Sequence, residues 1–369
     1  MSGEPTLDSY LAGMNQAGAS DVFLRAGDPP TLRVNGELMQ SNLPAPNEAD
    51  MRRFADQLLT PIAAKRFEQS PDIDLAYATP DGSRYRVNLF LTQGKLGLVA
   101  RHIPIGAVKF ENLNLPPVLL KMGEAQTGLI LVVGPTGSGK STTLAALLHH
   151  INATRRQHIV TIEDPIEFVH LEIQSLIHQR QVGYDTESFA TALRHVVRQS
   201  PDVILIGEMR DSDTMDTALK AALTGHLVLS TLHSTSVVQS IDRMLNYFPP
   251  EGRRQAQADV AQTLVGILSM RLLPRSDGKG RVPAVELLRG TPYVRRLIAE
   301  GNFAELYDAM KRGRDAGMIT FNQSLVELVK AGVVDEADAL PQSPNPDEFR
   351  LNMQGVFTGV DSINLRGGR

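Results

Sequence analysis

The chain has 369 residues, enough for two or three domains at roughly 150 residues each, and its 42% apolar and 21% charged residues exclude a largely disordered protein. Its 41 acidic and 37 basic residues give a formal net charge of −4, which argues against a bulk surface for nucleic acid or anionic lipid. Cysteine is absent, which excludes disulfides, thiolate zinc sites, iron–sulfur clusters and a cysteine nucleophile.

The sequence shows neither a secretory signal nor a membrane-spanning segment. Residues 1–5 contain no basic region and no apolar core. The longest apolar runs, such as 129–133 and 203–206, are far shorter than the ~18 residues of a spanning helix. We therefore expect a cytoplasmic protein whose link to any membrane is made through a partner.

The first ~100 residues predict a small mixed α/β unit, because the apolar spacings suit short strands and helices. Asn35-Gly36 between two β-prone runs predicts a hairpin with a type I′ turn. Residues 51–67 have a helical pattern that Pro61 interrupts. The predicted strands are residues 22–25, 31–34, 37–39, 74–78, 84–90 and 96–103.

From Thr127 onward the pattern changes to a repeat of buried strand, glycine loop and helix, which predicts a mainly parallel sheet covered on both faces. We place an N-terminal domain at 1–108, a linker containing Pro116-Pro117 at 109–126, and the second domain at 127–340. The tail, 341–369, begins with a proline-rich break and ends in glycine and arginine, so we expect it to be weakly ordered or docked on a partner.

A phosphate-binding loop follows the first strand of this second domain. The strand 128–133 is apolar, and 142–148 is a good helix, which is the context that such a loop requires. Backbone N–H groups of the loop would surround a polyphosphate, the lysine would reach the β- and γ-phosphates, and the serine hydroxyl would bind Mg²⁺. The alternative is a glycine-rich turn in another α/β fold. The matching residues are Gly134, Pro135, Thr136, Gly137, Ser138, Gly139, Lys140 and Ser141, followed by Thr142.

Carboxylates end two of the later strands. Residues 203–206 are apolar and lead to Glu208, whose end of the strand is expected on the ligand side of the sheet. We assign Glu208 to Mg²⁺ through water, with a plain ion pair to Arg210 as the alternative. Glu163, Asp164 and Glu167 follow another strand, and one of them can orient water for attack on the γ-phosphate. A solvated acidic loop is the alternative for this cluster.

Histidines and arginines complete the candidate set. His226 and His233 flank one short strand and could sense the γ-phosphate, or each could be an ordinary satisfied polar group. Arg86 and Arg101 lie on neighbouring predicted strands of the N-terminal unit. Arginines displayed by another domain or subunit can neutralise charge that develops on a phosphate, although exposed strand arginines are also common.

Four segments, 134–142, 161–167, 207–210 and 224–233, occur in the order and spacing of the secretion ATPase superfamily. There they are called the Walker A, Asp box, atypical Walker B and His box. The chain resembles most closely the type IV pilus retraction ATPases, PilT and PilU. The likeness runs to about residue 340 and includes residues 18–21 and 33–36.

The resemblance implies a homohexameric ring of ATPase subunits, each with an N-terminal PAS-like domain and a C-terminal RecA-like domain. Nucleotide would lie between the two domains, completed by a neighbouring subunit. By matching position, Glu167 resembles the catalytic glutamate that activates water, and Glu208 resembles the Walker B acid. Arg86 and Arg101 match the family's arginine fingers. Arg243 is similar to a further arginine on the γ-phosphate side, and His226 and His233 match the His-box pair.

Two departures from the family pattern bear on the branch. Assembly motors of this superfamily usually carry a four-cysteine zinc module, which this chain cannot build, and that favours retraction. Retraction ATPases carry a late helix motif that residues 293–300 match only in part, at Arg295, Leu297, Ile298 and Glu300. The tail resembles PilU and the Walker A resembles PilT, so the branch stays open.

The sequence thus predicts a Mg²⁺-dependent ATPase that acts on an inner-membrane pilus platform protein from the cytoplasmic side and drives retraction. A paralogous retraction ATPase is a further expected partner. The alternatives are a pilus or type II secretion assembly ATPase and a low-turnover nucleotide-binding subunit of the motor. A nucleic-acid motor on the same core has little support, because the net charge is −4 and tryptophan is absent, so no nucleic-acid partner is expected.

Overall fold

The computed structural model describes residues 5–34, 36–103, 106 and 108–356, with only the backbone of Ile62. These residues form two compact units. The first comprises the chain up to Gly106 together with Glu167–Val169, and the second comprises the remainder. The predicted turn residue Asn35 and the end of the tail, 357–369, lie outside the described residues.

The first unit is built on a six-stranded antiparallel sheet with the strand order β3-β2-β1-β6-β5-β4. The pairing of Val34 with Glu37 gives the predicted hairpin between β2 and β3. Gln93 and Gly94 both have positive φ, 51° and 76°, in the tight turn between β5 and β6. The strands are β1 (Asp21–Arg25), β2 (Thr31–Val34), β3 (Glu37–Gln40), β4 (Asp72–Ala78), β5 (Arg84–Thr92) and β6 (Lys95–Ile103).

Three helices cover this sheet. They are α1 (Leu7–Gln16), α2 (Glu48–Leu58) and α3 (Pro61–Gln69). The predicted interruption at Pro61 is a true boundary: Pro61 opens α3, and the Thr60 side chain caps it by accepting the Ala63 N–H. The core between sheet and helices includes the buried rings of Tyr10 and Phe54.

The second unit contains a seven-stranded sheet with the order β13-β12-β7-β11-β10-β8-β9. Neighbouring strands run parallel throughout, except that β13 pairs antiparallel with β12 at one edge. Every residue of β7, β10 and β11 is buried, as expected for strands covered on both faces. The strands are β7 (Gly128–Val133), β8 (His158–Glu163), β9 (Leu176–Gln181), β10 (Val203–Ile206), β11 (Leu227–Leu232), β12 (Leu264–Pro274) and β13 (Arg281–Arg289).

Eleven α-helices of the described residues belong to this second unit. They are α4 (Val118–Gly123), α5 (Lys140–Thr154), α6 (Phe189–Val196), α7 (Ser212–Leu223), α8 (Val237–Asn246), α9 (Pro250–Thr263), α10 (Pro292–Glu300), α11 (Leu306–Arg312), α12 (Phe321–Lys330), α13 (Glu336–Ala339) and α14 (Pro346–Met353). Short 3-10 helices lie at Phe110–Asn112, Phe303–Glu305, Arg314–Ala316 and Leu340–Gln342. Within the described ranges, we find no helix whose length and apolar character would let it cross a membrane.

Two segments pack more tightly than the sequence predicts. The expected linker, 109–126, contains α4, and its Leu119 and Met122 are buried in the core of the second unit. The segment therefore behaves as part of that unit, because its apolar residues are buried there. In the predicted tail, α14 is docked by Phe349, which is fully buried against α12 and neighbouring elements.

Candidate functional site

The phosphate-binding loop lies between β7 and α5, at the carboxyl edge of the parallel strands. Gly134, Gly137 and Gly139 have φ of 154°, 76° and 96°. A Cβ on Gly134 would lie 2.5 Å from Met270 O and from Ser138 Oγ, so only glycine fits there. The loop is thus a cradle of exposed backbone at the start of a helix, where anions are favoured.

Lys140 is the first residue of α5 and is 9% exposed. Its Nζ donates to Gly134 O and Pro135 O, both at 3.0 Å, so the ammonium group spans the loop. Ser138 Oγ is buried and has no hydrogen-bond partner among the described residues. A buried hydroxyl left in this way, beside a lysine and a glycine cradle, fits a polyphosphate that supplies acceptor oxygens.

Ser141 and Thr142 follow Lys140 in the first turn of α5. A cavity of about 290 Å³ opens beside Gly139 and Thr142. Its wall includes Asn114, Leu272 and Arg281, which come from the predicted linker and from the two antiparallel strands β12 and β13. Sequence analysis did not identify these wall residues, because they are distant in the chain and belong to no motif.

Glu208 follows β10 at the same edge of the sheet, and its side chain is 16% exposed. One carboxylate oxygen accepts from Arg210 Nε at 2.8 Å, and the other lies 3.4 Å from His233 Nε2. Glu208 therefore makes the ion pair that the sequence offered as an alternative, and it also contacts a histidine of the His box.

Arg243 and His233 are neighbours. Arg243 extends from α8, and its Nη1 donates to His233 O at 2.6 Å. Leu232, which directly precedes His233, is hydrogen-bonded to the phosphate loop: its carbonyl oxygen accepts the Gly134 N–H at 3.4 Å. His233, Arg243, Glu208 and the phosphate loop thus share one edge of the sheet.

His226 lies at the opposite side of the sheet, where the parallel strands begin. It precedes β11, whereas His233 follows it, and six residues at ~3.3 Å each separate the two ends by about 20 Å. His226 Nδ1 lies 2.9 Å from Ala221 O at the end of α7. Within one chain, His226 and His233 therefore lie at opposite ends of β11.

Glu163 is the buried member of the acidic cluster, at the end of β8. Its Oε1 accepts from Thr161 Oγ1 at 2.6 Å and from Gln179 Nε2 at 3.1 Å, which gives it a structural set of partners. Glu167, the expected catalytic glutamate, has an exposed side chain and groups by its contacts with the first unit. Unlike Glu163, it lies outside β8.

Arg86 and Arg101 stand directly opposite each other on β5 and β6 of the first unit. Each is held by an acid: Arg86 Nη2 lies 3.3 Å from Asp74 Oδ2, and Arg101 Nε lies 2.7 Å from the buried Asp21. The arginine side chains are 41% and 63% exposed. Each guanidinium group is therefore paired with a carboxylate of its own unit and is also partly open to solvent.

The family described as type II/IV secretion system protein matches residues 4–331. The type IV pilus retraction ATPase PilT of Pseudomonas aeruginosa is 41% identical, over 93% of this chain and 99% of its own. The type IV pilus ATPase PilU of the same organism is 37% identical, over 97% and 94%.

A solved structure agrees with the sequence relatives. The crystal structure of the pilus retraction motor PilT with bound ADP superposes with a TM-score of 0.87 at 39% identity, covering 94% of this chain and 99% of that chain. This likeness confirms the predicted fold class, an α/β N-terminal unit followed by a P-loop unit with a mainly parallel sheet. The chain belongs to the type II/IV secretion system protein family, and within it to the relatives of the PilT and PilU pilus ATPases.

Proposed function

We propose that this chain is an ATP-hydrolysing motor that powers type IV pilus retraction. The observation that carries the proposal is the lysine-bearing glycine cradle, which shares its sheet edge with Glu208, His233 and Arg243. It is supported by the similarity to PilT over nearly the whole length of both chains. In the proposal the chain works as a homohexamer at the cytoplasmic side of an inner-membrane pilus platform protein.

The residues would divide the chemistry as follows. Backbone N–H groups of 134–139 and the Lys140 ammonium would hold the β- and γ-phosphates. Ser141 and Glu208 offer the hydroxyl and carboxylate oxygens that Mg²⁺ prefers. Bound Mg²⁺ would supply positive charge to the phosphate oxygens. Glu167 would orient the attacking water and accept its proton.

Arginines would stabilise the charge that develops on the transferred phosphate. Arg243 lies at the loop edge already, next to His233. Arg86 and Arg101 form an exposed pair on the first unit, and a completed ring would bring such a pair to a neighbour's nucleotide. The cavity beside Gly139 is the place that we assign to the nucleoside, because it adjoins the loop and has both apolar and polar walls.

A second candidate is a low-turnover partner of another retraction ATPase. The chain is similar to a second pilus ATPase besides PilT, since the match to PilU covers 97% of this chain at 37% identity, and two such ATPases could act together. Both candidates predict nucleotide binding at the same loop. They differ in whether the purified chain alone turns over ATP and in whether a paralogous ATPase is needed for retraction.

The test is steady-state phosphate release by the purified full chain with Mg-ATP. Lys140→Ala should abolish both nucleotide binding and turnover, since the lysine ammonium group spans the loop. Glu167→Gln should keep ADP binding and lose about 100-fold or more in kcat. Lys121→Ala, on the exposed face of α4, is the matched control and should behave as wild type. If both site variants kept wild-type turnover, the proposed mechanism would be wrong.

A deletion strain separates retraction from assembly. Loss of a retraction motor should leave pili present and unretracted, whereas loss of an assembly ATPase should leave cells without pili. Complementation with Lys140→Ala should fail in the first case to restore twitching, while Lys121→Ala should restore it.

A further inference from the structure

Residues 233–237 connect β11 to α8, and we call them the histidine loop. The loop carries the His233 ring to within 3.4 Å of Glu208, and its first carbonyl accepts from Arg243. Both contacts depend on the loop backbone, since a shift of about 1 Å breaks a hydrogen bond of this length. Whatever holds the loop therefore decides where these side chains lie.

Glu286 holds the far end of the histidine loop. It lies on β13, is 5% exposed, and its Oε2 accepts the Val237 N–H at 2.7 Å. Burial raises the pKa of Glu286, and the Val237 bond together with Arg271 opposes that shift. A carboxylate is costly to bury unless it is paired, so an apolar residue here would be the simpler choice for a plain core.

Arg271 holds the middle of the same loop from β12. Its Nη2 donates to Thr235 O at 3.4 Å, and Nη1 donates to Gln342 O at 2.9 Å. The guanidinium stacks over the Phe321 ring, with 4.7 Å to the ring centroid. Ser269, opposite Glu286 in the strand register, donates to the same Thr235 carbonyl at 3.4 Å.

The helix that follows the loop has its own cap, so Glu286 is not its N-cap. Ser236 is the N-cap of α8, and its side chain accepts the Gln239 N–H at 3.3 Å. Glu286 instead satisfies the N–H of Val237, the first helical residue. Its contact is with the junction between loop and helix.

We propose that Glu286 and Arg271 are positioning residues for ATP hydrolysis, which fix the histidine loop so that His233 meets Glu208 and Arg243. This inference rests on the proposed function, because the positioned groups are those of its hydrolytic step. Among the residues that the structure describes, the side chains of Glu286 and Arg271 form no hydrogen bond to the phosphate loop, so their effect would reach the reaction through His233 and Arg243. Loss of Glu286 should lower kcat and leave nucleotide affinity in place.

The experiment uses the full chain and measures kcat, KM for Mg-ATP and the affinity for a fluorescent ADP. Glu286→Leu should lower kcat about tenfold and change ADP affinity less than about twofold. Glu286→Gln should keep kcat within about threefold, because the amide oxygen still accepts the Val237 N–H. A residue with only a structural role would not give this split between kcat and affinity.

Asp50 provides a matched control in the first unit. It is also a buried carboxylate, 4% exposed, and it accepts the backbone N–H of Asn47 at 2.9 Å at the start of α2. Asp50→Leu removes the same kind of bond, so it should lower the melting temperature and leave kcat per folded molecule unchanged.

The outcomes separate the two proposals. Wild-type chain without any turnover would overturn the proposed function and this inference with it. Active wild type combined with normal kcat in Glu286→Leu, or with equal losses of kcat and ADP affinity, would overturn the inference alone. Should Glu286→Leu fail to fold, Arg271→Gln decides: a severalfold fall in kcat at constant ADP affinity supports the inference, and an unchanged kcat overturns it.

Discussion

The seven-stranded sheet carries similar side chains at the two ends of its strands, but in different surroundings. We call these ends the carboxyl edge, where the parallel strands finish, and the amino edge, where they begin. At the carboxyl edge, Glu208 contacts His233 and Arg210 through side-chain atoms, in a partly exposed setting. At the amino edge, Asp202 accepts the backbone N–H of His158 at 2.8 Å, and His226 lies against the Ala221 carbonyl. Of these residues, Glu208 pairs with other side chains, whereas Asp202 and His226 pair with the backbone.

This difference indicates which edge can do chemistry. Side chains that are satisfied by each other can exchange partners for a ligand, whereas side chains satisfied by the backbone would leave a donor or acceptor unpaired if they moved. Parallel α/β sheets bind ligands outside the carboxyl ends of their strands, and the phosphate loop lies there in this chain. We therefore expect substitutions at the carboxyl edge to change turnover and those at the amino edge to change stability.

The largest contrast should come from the two carboxylates that bracket β10. Glu208→Gln should lower kcat about 100-fold, because it removes the carboxylate charge that we propose to bind Mg²⁺. Asp202→Asn should keep kcat within about twofold and cost about 1 kcal/mol of unfolding free energy, since it weakens a single bond to the backbone. Phosphate release and urea unfolding measure the two effects, and equal losses of kcat in both variants would contradict the comparison.

The two histidines around β11 sharpen the same comparison at a smaller scale. His233→Asn should lower kcat about tenfold, because Glu208 loses its ring partner and the loop edge loses a polar contact. His226→Asn should leave kcat within about twofold, since His226 is about 20 Å away along the strand. The measurement is kcat at saturating Mg-ATP for both variants. A larger loss in His226→Asn would require a role for the amino edge, for instance at a neighbouring subunit.

Local patterns account for what the sequence predicted well. The apolar run 128–133 and the glycines after it are a contiguous signal, so the strand, the loop and the start of α5 could be placed without the structure. The Asn35-Gly36 pair likewise located the hairpin between β2 and β3. The position of His226 could also have been derived, since seven residues along a strand separate it from His233.

Contacts that span long stretches of chain were beyond the sequence. Glu286 accepts a hydrogen bond from Val237, 49 residues away in the chain, and Arg281 and Asn114 line the same cavity. Nothing in the local pattern of β12 and β13 specifies these meetings, because strand order is set by packing of the whole sheet. The proline pair at 116–117 suggested a linker because prolines are typical of turns. The burial of Leu119 depends on tertiary packing, which the local sequence does not specify.

The smallest effect on turnover should come from Asn152, whose side chain makes three hydrogen bonds at the amino edge. Asn152, at the end of α5, is 1% exposed and holds the segment 171–175 by three bonds. Its Nδ2 donates to Leu171 O at 2.7 Å, and its Oδ1 accepts from Ile173 N and Ser175 N at 3.0 and 3.3 Å. The segment presents Leu171 and Ile173 to solvent, so little apolar packing replaces those bonds.

Asn152→Ala should therefore lower the free energy of unfolding by about 2 kcal/mol, because one carbonyl and two N–H groups lose their partner. Since the residue lies at the opposite end of α5 from Lys140, kcat per folded molecule should stay within about twofold. Asn152→Asp keeps the acceptor and loses the donor, so its stability should fall between the other two. Urea unfolding and phosphate release on the same preparations test both statements. A loss of turnover at full stability would place chemistry at the amino edge and end the division drawn between the two edges.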